Sequence, residues 1–155
     1  MNKIGINTEK ANDLNKHLND LLANYQIFYS NVRGFHWNVK GEKFFELHVK
    51  FEELYNDLIL KIDELAERIL TLGYHPEYRY SEYLKTSVIK EALQTQNGLE
   101  NVQNLIDSFA ILIQKQRSLL TMSGDADDEG TNSLMSDYIR EQEKLVWMYS
   151  AFLNK

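Results

Sequence analysis

The sequence predicts an all-α protein built as a four-helix bundle, and three observations support this fold class. Apolar residues recur at steps of three and four over four long segments. The chain contains one proline and seven glycines, fewer turn residues than a β-sandwich or an α/β fold normally needs. With 155 residues, it is long enough to bury a sizeable core, and we expect one domain over residues 1–155.

The first predicted helix is capped by Asn7 or Thr8 and carries one continuous apolar face. That face consists of Leu14, Leu18, Leu21, Leu22, Tyr25, Phe28, Val32 and His36. Gly34 lies near the end of the helix, and Gly41 is placed in the turn that follows.

The second predicted helix runs from about Glu42 to Leu72, where Gly73 terminates it and Pro76 blocks its continuation. Its apolar residues alternate steps of four and three without a break: Leu47, Phe51, Leu54, Leu58, Ile62, Leu65, Ile69 and Leu72. In the longer link that follows, we expect a short extra helix around Ser81–Leu84.

The third predicted helix begins after Ser87 and reaches about Met122, and Gly98 is expected to bend it. Its core face is Leu99, Val102, Ile106, Phe109, Leu112 and Ile113. The last helix is predicted from Thr131 to Phe152. Four helices joined by mostly short links pack as a bundle.

Composition excludes several classes of function. The chain has no cysteine, which rules out disulfide scaffolds, zinc–thiolate sites and iron–sulfur clusters. The longest clearly apolar run, Phe109–Ile113, is far too short to span a bilayer. The first ten residues lack the apolar stretch of a signal peptide, so we expect a cytoplasmic protein.

A polar stripe accompanies the apolar stripe on the predicted second helix. With His48 taken as zero at about 100° per residue, Glu52 falls at about 40°, Asp63 at about 60° and Glu67 at about 100°. The apolar series centres at about −80°, so the two stripes lie roughly 130° apart. The other histidines outside this region, His17 and His75, are expected to be ordinary surface side chains.

Two interpretations of the polar stripe remain open at this stage. It is a solvated face, whose acids pair with Lys61 and Arg68, or it faces another subunit. Tyr55 and Ile59 lie on the same stripe, and a purely solvated face would not favour them.

Imidazole and carboxylate groups together suit Fe²⁺, Mn²⁺ or Zn²⁺. A di-iron centre within one four-helix bundle normally uses Glu-x-x-His on two of its helices. This chain has no Glu-x-x-His, and its third and fourth long helices contain no histidine. A metal site would therefore draw on the first two helices only, and a neighbouring chain would have to complete it.

The residues of this region resemble the Dps family, the mini-ferritins named as DNA-binding proteins from starved cells. The family motif is His-Trp-Asn-Val-x-Gly, a second histidine twelve residues after the first, and Asp-x-x-x-Glu fifteen residues beyond that. His36, His48, Asp63 and Glu67 fall on each of these spacings. The resemblance covers nearly the whole chain, including Thr131-Asn132 and the region of Trp147.

The resemblance implies a ferritin-like bundle that assembles into a dodecameric hollow shell. It also implies a ferroxidase, which oxidises Fe²⁺ to Fe³⁺ with hydrogen peroxide, stores ferric mineral in the cavity and protects against oxidative damage. The implied iron ligands are His36 and His48 from one subunit and Asp63 and Glu67 from its mate, with Glu52 as a secondary ligand. Zn²⁺ or Mn²⁺ are alternative ions for the same site.

Three further positions follow from the same resemblance. Trp37 stands where the family has a tryptophan near the iron. Asp128 and Asp137 best match the acidic residues that line the family's threefold pores, which admit Fe²⁺. The family's aspartate directly after Thr-Asn is Ser133 here, so the pore lining departs from the family pattern.

DNA binding with little ferroxidase activity is the alternative function. Many Dps proteins bind DNA through a lysine-rich tail, but the first sixteen residues here carry three lysines against two acids. The net charge is −6 per chain, so twelve copies would carry about −72. Because such a surface repels phosphate, we expect no DNA binding.

Overall fold

The computed structural model describes all 155 residues and contains five α-helices and no β-sheet. The helices are α1 (Thr8–Asn38), α2 (Phe44–Thr71), α3 (Tyr80–Thr86), α4 (Gly98–Asp125) and α5 (Glu129–Phe152). Helix α1 packs against α2 and α4, α4 packs against α5, and the short α3 lies on α1. The predicted bundle of four long helices with a short extra helix is confirmed. None of the helices combines the length and the apolar character needed to cross a membrane.

The core forms where the sequence places its apolar stripes. Every residue of the predicted faces of α1 and α2 is buried, because one apolar stripe per helix can leave water only by packing against another helix. Phe28 meets Phe109 edge to face, with 5.1 Å between the ring centres, and Phe35 lies 5.8 Å from Phe51. These contacts join α1 to α4 and to α2.

A buried polar network crosses the middle of the bundle. The Tyr25 hydroxyl donates to Gln116, Gln116 donates to the Gln142 side-chain oxygen over 2.8 Å, and Gln142 donates to the Tyr25 oxygen over 2.6 Å. All three side chains are buried, and each satisfies the others' polar groups. The centre of the bundle is therefore occupied by a phenol and two amides, not by carboxylates.

The start of α4 corrects the predicted third helix. That helix begins at Gly98 rather than after Ser87, and Leu99 is exposed rather than part of the core face. A side chain at Gly98 would approach Leu47 to 2.5 Å, so glycine permits close packing at the helix start and does not bend the helix. Asn97 caps it by accepting a hydrogen bond from the Glu100 backbone N–H.

Residues 87–97 form an extended crossover segment that two asparagines of α1 hold in place. The Asn24 side-chain oxygen accepts hydrogen bonds from the backbone N–H groups of Val88 and Ile89, at 2.9 and 3.1 Å. Seven residues along α1, Asn31 donates to the Lys90 carbonyl and accepts from the Ala92 N–H. These bonds satisfy backbone groups that a helix would otherwise pair.

Candidate metal centre

The hairpin between α1 and α2 brings two histidines together. His36 lies in the last turn of α1 and His48 lies near the start of α2. Gly41 turns the chain between them with φ +104°, a conformation that favours glycine. The two imidazole rings stack, with 3.9 Å between their centres and an angle of 11° between their planes.

Reciprocal hydrogen bonds fix the orientation of this histidine pair. His36 Nδ1 lies 2.6 Å from the His48 carbonyl oxygen, and His48 Nδ1 lies 2.8 Å from the His36 carbonyl oxygen. A carbonyl oxygen can only accept, so each Nδ1 must carry the proton and donate it. Each Nε2 is therefore the ring nitrogen that remains available to a metal ion.

The surroundings of the pair combine apolar walls with one carboxylate. Phe44 stacks on His48 at 4.9 Å between ring centres, and Tyr55 meets His36 edge to face at 5.4 Å. Glu52 reaches within 3.7 Å of His36 Nε2 while its side chain stays half exposed. One face of the pair is thus open and carries an anionic oxygen next to an imidazole nitrogen.

The two predicted acidic ligands lie elsewhere on the same chain. Asp63 follows His48 by fifteen residues on α2, which is roughly 22 Å along the helix axis. No group of three or more potential ligands that could hold a metal ion occurs within one chain. The structure therefore places His36 next to His48 and next to Glu52 but leaves Asp63 and Glu67 apart from them.

The ion pairs of α2 show whether Lys61 and Arg68 pair with the acids of the polar stripe. Lys61 pairs with Asp57 and Glu141, at 2.9 and 2.8 Å. Arg68 pairs instead with Asp128 at 2.6 Å. Neither cation contacts the stripe acids, so Asp63 and Glu67 are exposed carboxylates without an ion pair in the chain.

Comparisons with known proteins identify the family to which this fold belongs. The ferritin-like domain family matches residues 15–155. The DNA protection during starvation protein of Porphyromonas gingivalis is 45% identical over 151 residues, covering 97% of this chain and 95% of that protein.

Solved structures show the same relationship. The crystal structure of a Vibrio cholerae Dps protein, described as a member of a broad superfamily of ferritin-like diiron-carboxylate proteins, has a TM-score of 0.97. It is 57% identical and covers 99% of this chain and 96% of its own. A Dps protein from Bacillus brevis gives a TM-score of 0.91 at 36% identity, covering 95% of this chain and 99% of its own.

This chain belongs to the Dps family of ferritin-like proteins. Its fold is the ferritin-like bundle that the sequence predicts.

Trp37 of this Dps chain makes no ring contact with either histidine of the pair. Its side chain is 63% exposed, and the Arg33 guanidinium lies over its ring, 4.8 Å from the ring centre. Tyr55, not Trp37, contacts His36.

The two candidate pore acids have different environments. Asp128 is buried, caps α5 by accepting from the Thr131 N–H, and pairs with Arg68. Both contacts use its Oδ1, and its Oδ2 accepts from the Thr131 hydroxyl. Both oxygens are thus occupied within the chain, and the pore role stays a prediction. Asp137 is exposed and pairs only with Arg140, one turn along α5.

The reciprocal bonds of the histidine pair and its contact with Tyr55 were not predicted. The only signal in the sequence is the spacing of twelve residues between His36 and His48, which does not specify ring orientation. Both features depend on the tertiary geometry of the hairpin.

Proposed function

We propose that this Dps protein is an iron-storage mini-ferritin with ferroxidase activity, acting as a cytoplasmic shell of twelve copies. The observation that carries the proposal is the histidine pair, whose Nδ1 atoms donate to carbonyl oxygens and whose His36 Nε2 lies 3.7 Å from the Glu52 carboxylate. Because both Nδ1 atoms donate to carbonyl oxygens, the two Nε2 atoms are the ring nitrogens available to a metal ion.

The proposed site lies between two subunits related by a twofold axis. His36 and His48 of one subunit, with Glu52 as a secondary ligand, face Asp63 and Glu67 of the partner subunit. A twofold interface uses the same patch on both copies, so the histidines and acids of one α2 meet the acids and histidines of the other. Ile59, between the two groups on α2, is 44% exposed in the single chain, as expected of an interface residue.

The donor set fits iron as a substrate. Imidazole nitrogen and carboxylate oxygen bind Fe²⁺, and the same donors accept Zn²⁺ or Mn²⁺, which would compete for the site. The anionic carboxylates favour Fe³⁺ over Fe²⁺, because the higher charge gains more from negative ligands. The reaction is therefore favoured in the direction of iron oxidation.

Hydrogen peroxide is the proposed oxidant. Each Fe²⁺ loses one electron, and two such electrons with two protons break the O–O bond of one peroxide to give two waters. The ferric product then hydrolyses and is stored as mineral in the cavity. Both reactants that would otherwise generate hydroxyl radicals are consumed, which would protect the cell against oxidative damage and maintain iron homeostasis.

DNA binding is the less favoured function for this member of the family. Of the three lysines near the N-terminus, Lys10 contacts the Asp125 carbonyl and Lys16 pairs with Asp13. The excess of acids gives each chain a net charge of −6, which opposes contact with phosphates. The expectation that DNA is not bound remains a prediction.

Replacing Asp63 and Glu67 together by Asn and Gln tests the proposed site. The change keeps the side-chain shapes but removes two anionic ligands. We expect weaker Fe²⁺ binding by calorimetry and slow peroxide-driven oxidation by absorbance of the ferric product, while the assembly remains intact.

A matched control is Glu9→Gln with Asp13→Asn, which removes two exposed acids at the same four-residue spacing from α1. This control should oxidise iron as the unchanged protein does. Unchanged oxidation in the Asp63/Glu67 variant would contradict the site assignment.

A further inference from the structure

A groove lies between α2 and α5, on the side of the bundle where these two helices do not pack closely. Helix α2 packs on α1 and helix α5 packs on α4. The cavity that remains between α2 and α5 has a volume of about 560 Å³, which is within the range of small-molecule binding sites. Its apolar lining consists of Leu47, Leu54, Leu145, Met148, Tyr149 and Phe152.

The Tyr149 hydroxyl is an unpaired polar group in this groove. Tyr149 is only 9% exposed, and its ring lies nearly parallel to the ring of Phe109 in the core, with 6.4 Å between the ring centres. Burial raises the pKa of Tyr149, as do the carboxylates of Glu53 and Asp57 on the α2 wall of the groove, and no hydrogen bond within the chain engages the phenol. Because a buried hydroxyl normally has a hydrogen-bond partner, this one is available to a ligand.

The charged side chains around the groove favour a cation. They are four acids and two lysines, namely Glu46, Glu53, Asp57, Glu141, Lys50 and Lys144. Asp57 and Glu141 share the ammonium group of buried Lys61, at 2.9 and 2.8 Å. Lys50 pairs with Glu53 at 3.0 Å, but both side chains are more than half exposed, and such a pair is weak. Even with Lys61 counted, the acids outnumber the lysines.

From this cavity, its unpaired hydroxyl and its acids we infer that the α2–α5 groove binds an amphipathic cation, a molecule with one ammonium group on an alkyl or aryl body. The body lies on the apolar side chains, and its removal from water supplies most of the affinity. The ammonium group donates one hydrogen bond to the Tyr149 oxygen and another to the carboxylate of Glu53 or Asp57. This site does not involve iron, so the inference goes beyond the proposed function and does not depend on it.

The groove is separate from the proposed iron site. At about 100° per residue along α2, Glu53 and Asp57 fall at about 140° and 180° from His48. Asp63 and Glu67 fall within about 100° of His48, on the other side of the helix. The proposed twofold interface therefore does not use the residues of the groove.

Calorimetric titration of the iron-free assembled protein with octylammonium, octanol and octanoate tests the inference without any variant. The three probes share one alkyl chain and differ in the charge of the head group. Octylammonium should bind, and the other two should bind about tenfold more weakly, because only the cation gains charge-assisted hydrogen bonds from the acids. Equal binding of the three probes, tighter binding of octanoate, or no binding of octylammonium would overturn the inference.

Two variants test where the cation lies. Tyr149→Phe removes only the hydroxyl and should weaken octylammonium binding by about two- to tenfold. Met148→Lys places a like charge in the groove and should weaken the binding further. Ser118→Lys is the matched control, because it adds the same charge at an exposed position of α4 outside the groove. Light scattering should show that all three variants assemble as the unchanged protein does.

The control should bind octylammonium as tightly as the unchanged protein. Unchanged binding in either Tyr149→Phe or Met148→Lys would overturn the inference, and so would a loss in Ser118→Lys as large as in Met148→Lys. Normal octylammonium binding by a protein that fails to oxidise iron would support this inference while rejecting the proposed function.

Discussion

Several tyrosines in the core are kept neutral by their surroundings. Burial raises the pKa of Tyr149 to about 12, and Glu53 and Asp57 act in the same direction. Burial likewise raises the pKa of Tyr25 and of Tyr138. Unfolding would expose these phenols to water, where they ionise near pH 10. Their contribution to stability is therefore complete below about pH 10 and is lost as the pH rises through the folded pKa.

Replacing Tyr149 by Phe removes one of these phenols and should flatten the alkaline loss of stability. Between pH 10 and about 12, this tyrosine is ionised in the unfolded chain but neutral in the folded protein. The free energy of unfolding therefore falls by about 1.4 kcal/mol for each pH unit. Thermal melts of both proteins should show similar melting temperatures at pH 8 and a smaller decrease for the variant above pH 10. Parallel melting curves over the whole range would contradict the assigned environment of Tyr149.

At the scale of elements, the crossover segment 87–97 depends on α1. It has no helix or sheet pairing of its own, apart from a single bridge between Lys40 and Asn97. Buried Asn24 satisfies two of its backbone N–H groups and also accepts from the Ser87 hydroxyl at 3.2 Å. Losing this side chain would leave buried donors without partners.

Asn24→Ala should therefore destabilise the segment by about 1–3 kcal/mol and expose it to proteases. Limited proteolysis followed by mass spectrometry should find new cleavage within residues 87–97. Asn38→Ala is the control, because that exposed asparagine bonds only to the Gly34 carbonyl in its own helix. Equal cleavage of the two variants would show that Asn24 does not hold the segment.

The regularity of each element decides how much of it could be predicted. The buried faces of α1 and α2 follow from periodicity alone, since the spacing of apolar residues along a helix decides which of its sides is buried. The start of α4 could not be predicted, because the bonds from Asn24 and Asn31 come from a distant part of the chain. In the site, the spacing from His36 to Glu67 indicates the ligand types, whereas the ring stacking and the Tyr55 contact require the folded hairpin.

At the scale of the whole molecule, the proposed iron site requires assembly of the chains. Asp63 and Glu67, two exposed acids of α2, have no ion pair within the chain, and the histidine pair lacks the ligands that would complete it. Formation of the shell would bring the acids of one subunit to the histidine pair of another. Twelve chains of 18.2 kDa give about 218 kDa, and light scattering in physiological buffer should report that mass. A stable monomer or an isolated dimer would contradict the proposed shell.

The central claim is that each iron site takes its histidines from one subunit and its acids from another. Mixing His36→Ala chains with chains carrying Asp63→Asn and Glu67→Gln tests it directly. In a mixed dimer, one site collects both defects while the other keeps native histidines and native acids. Neither parent should oxidise Fe²⁺ with peroxide at a normal rate, whereas particles refolded together should recover part of the activity. If the co-assembled particles stay as inactive as their parents, the ligands do not come from different chains.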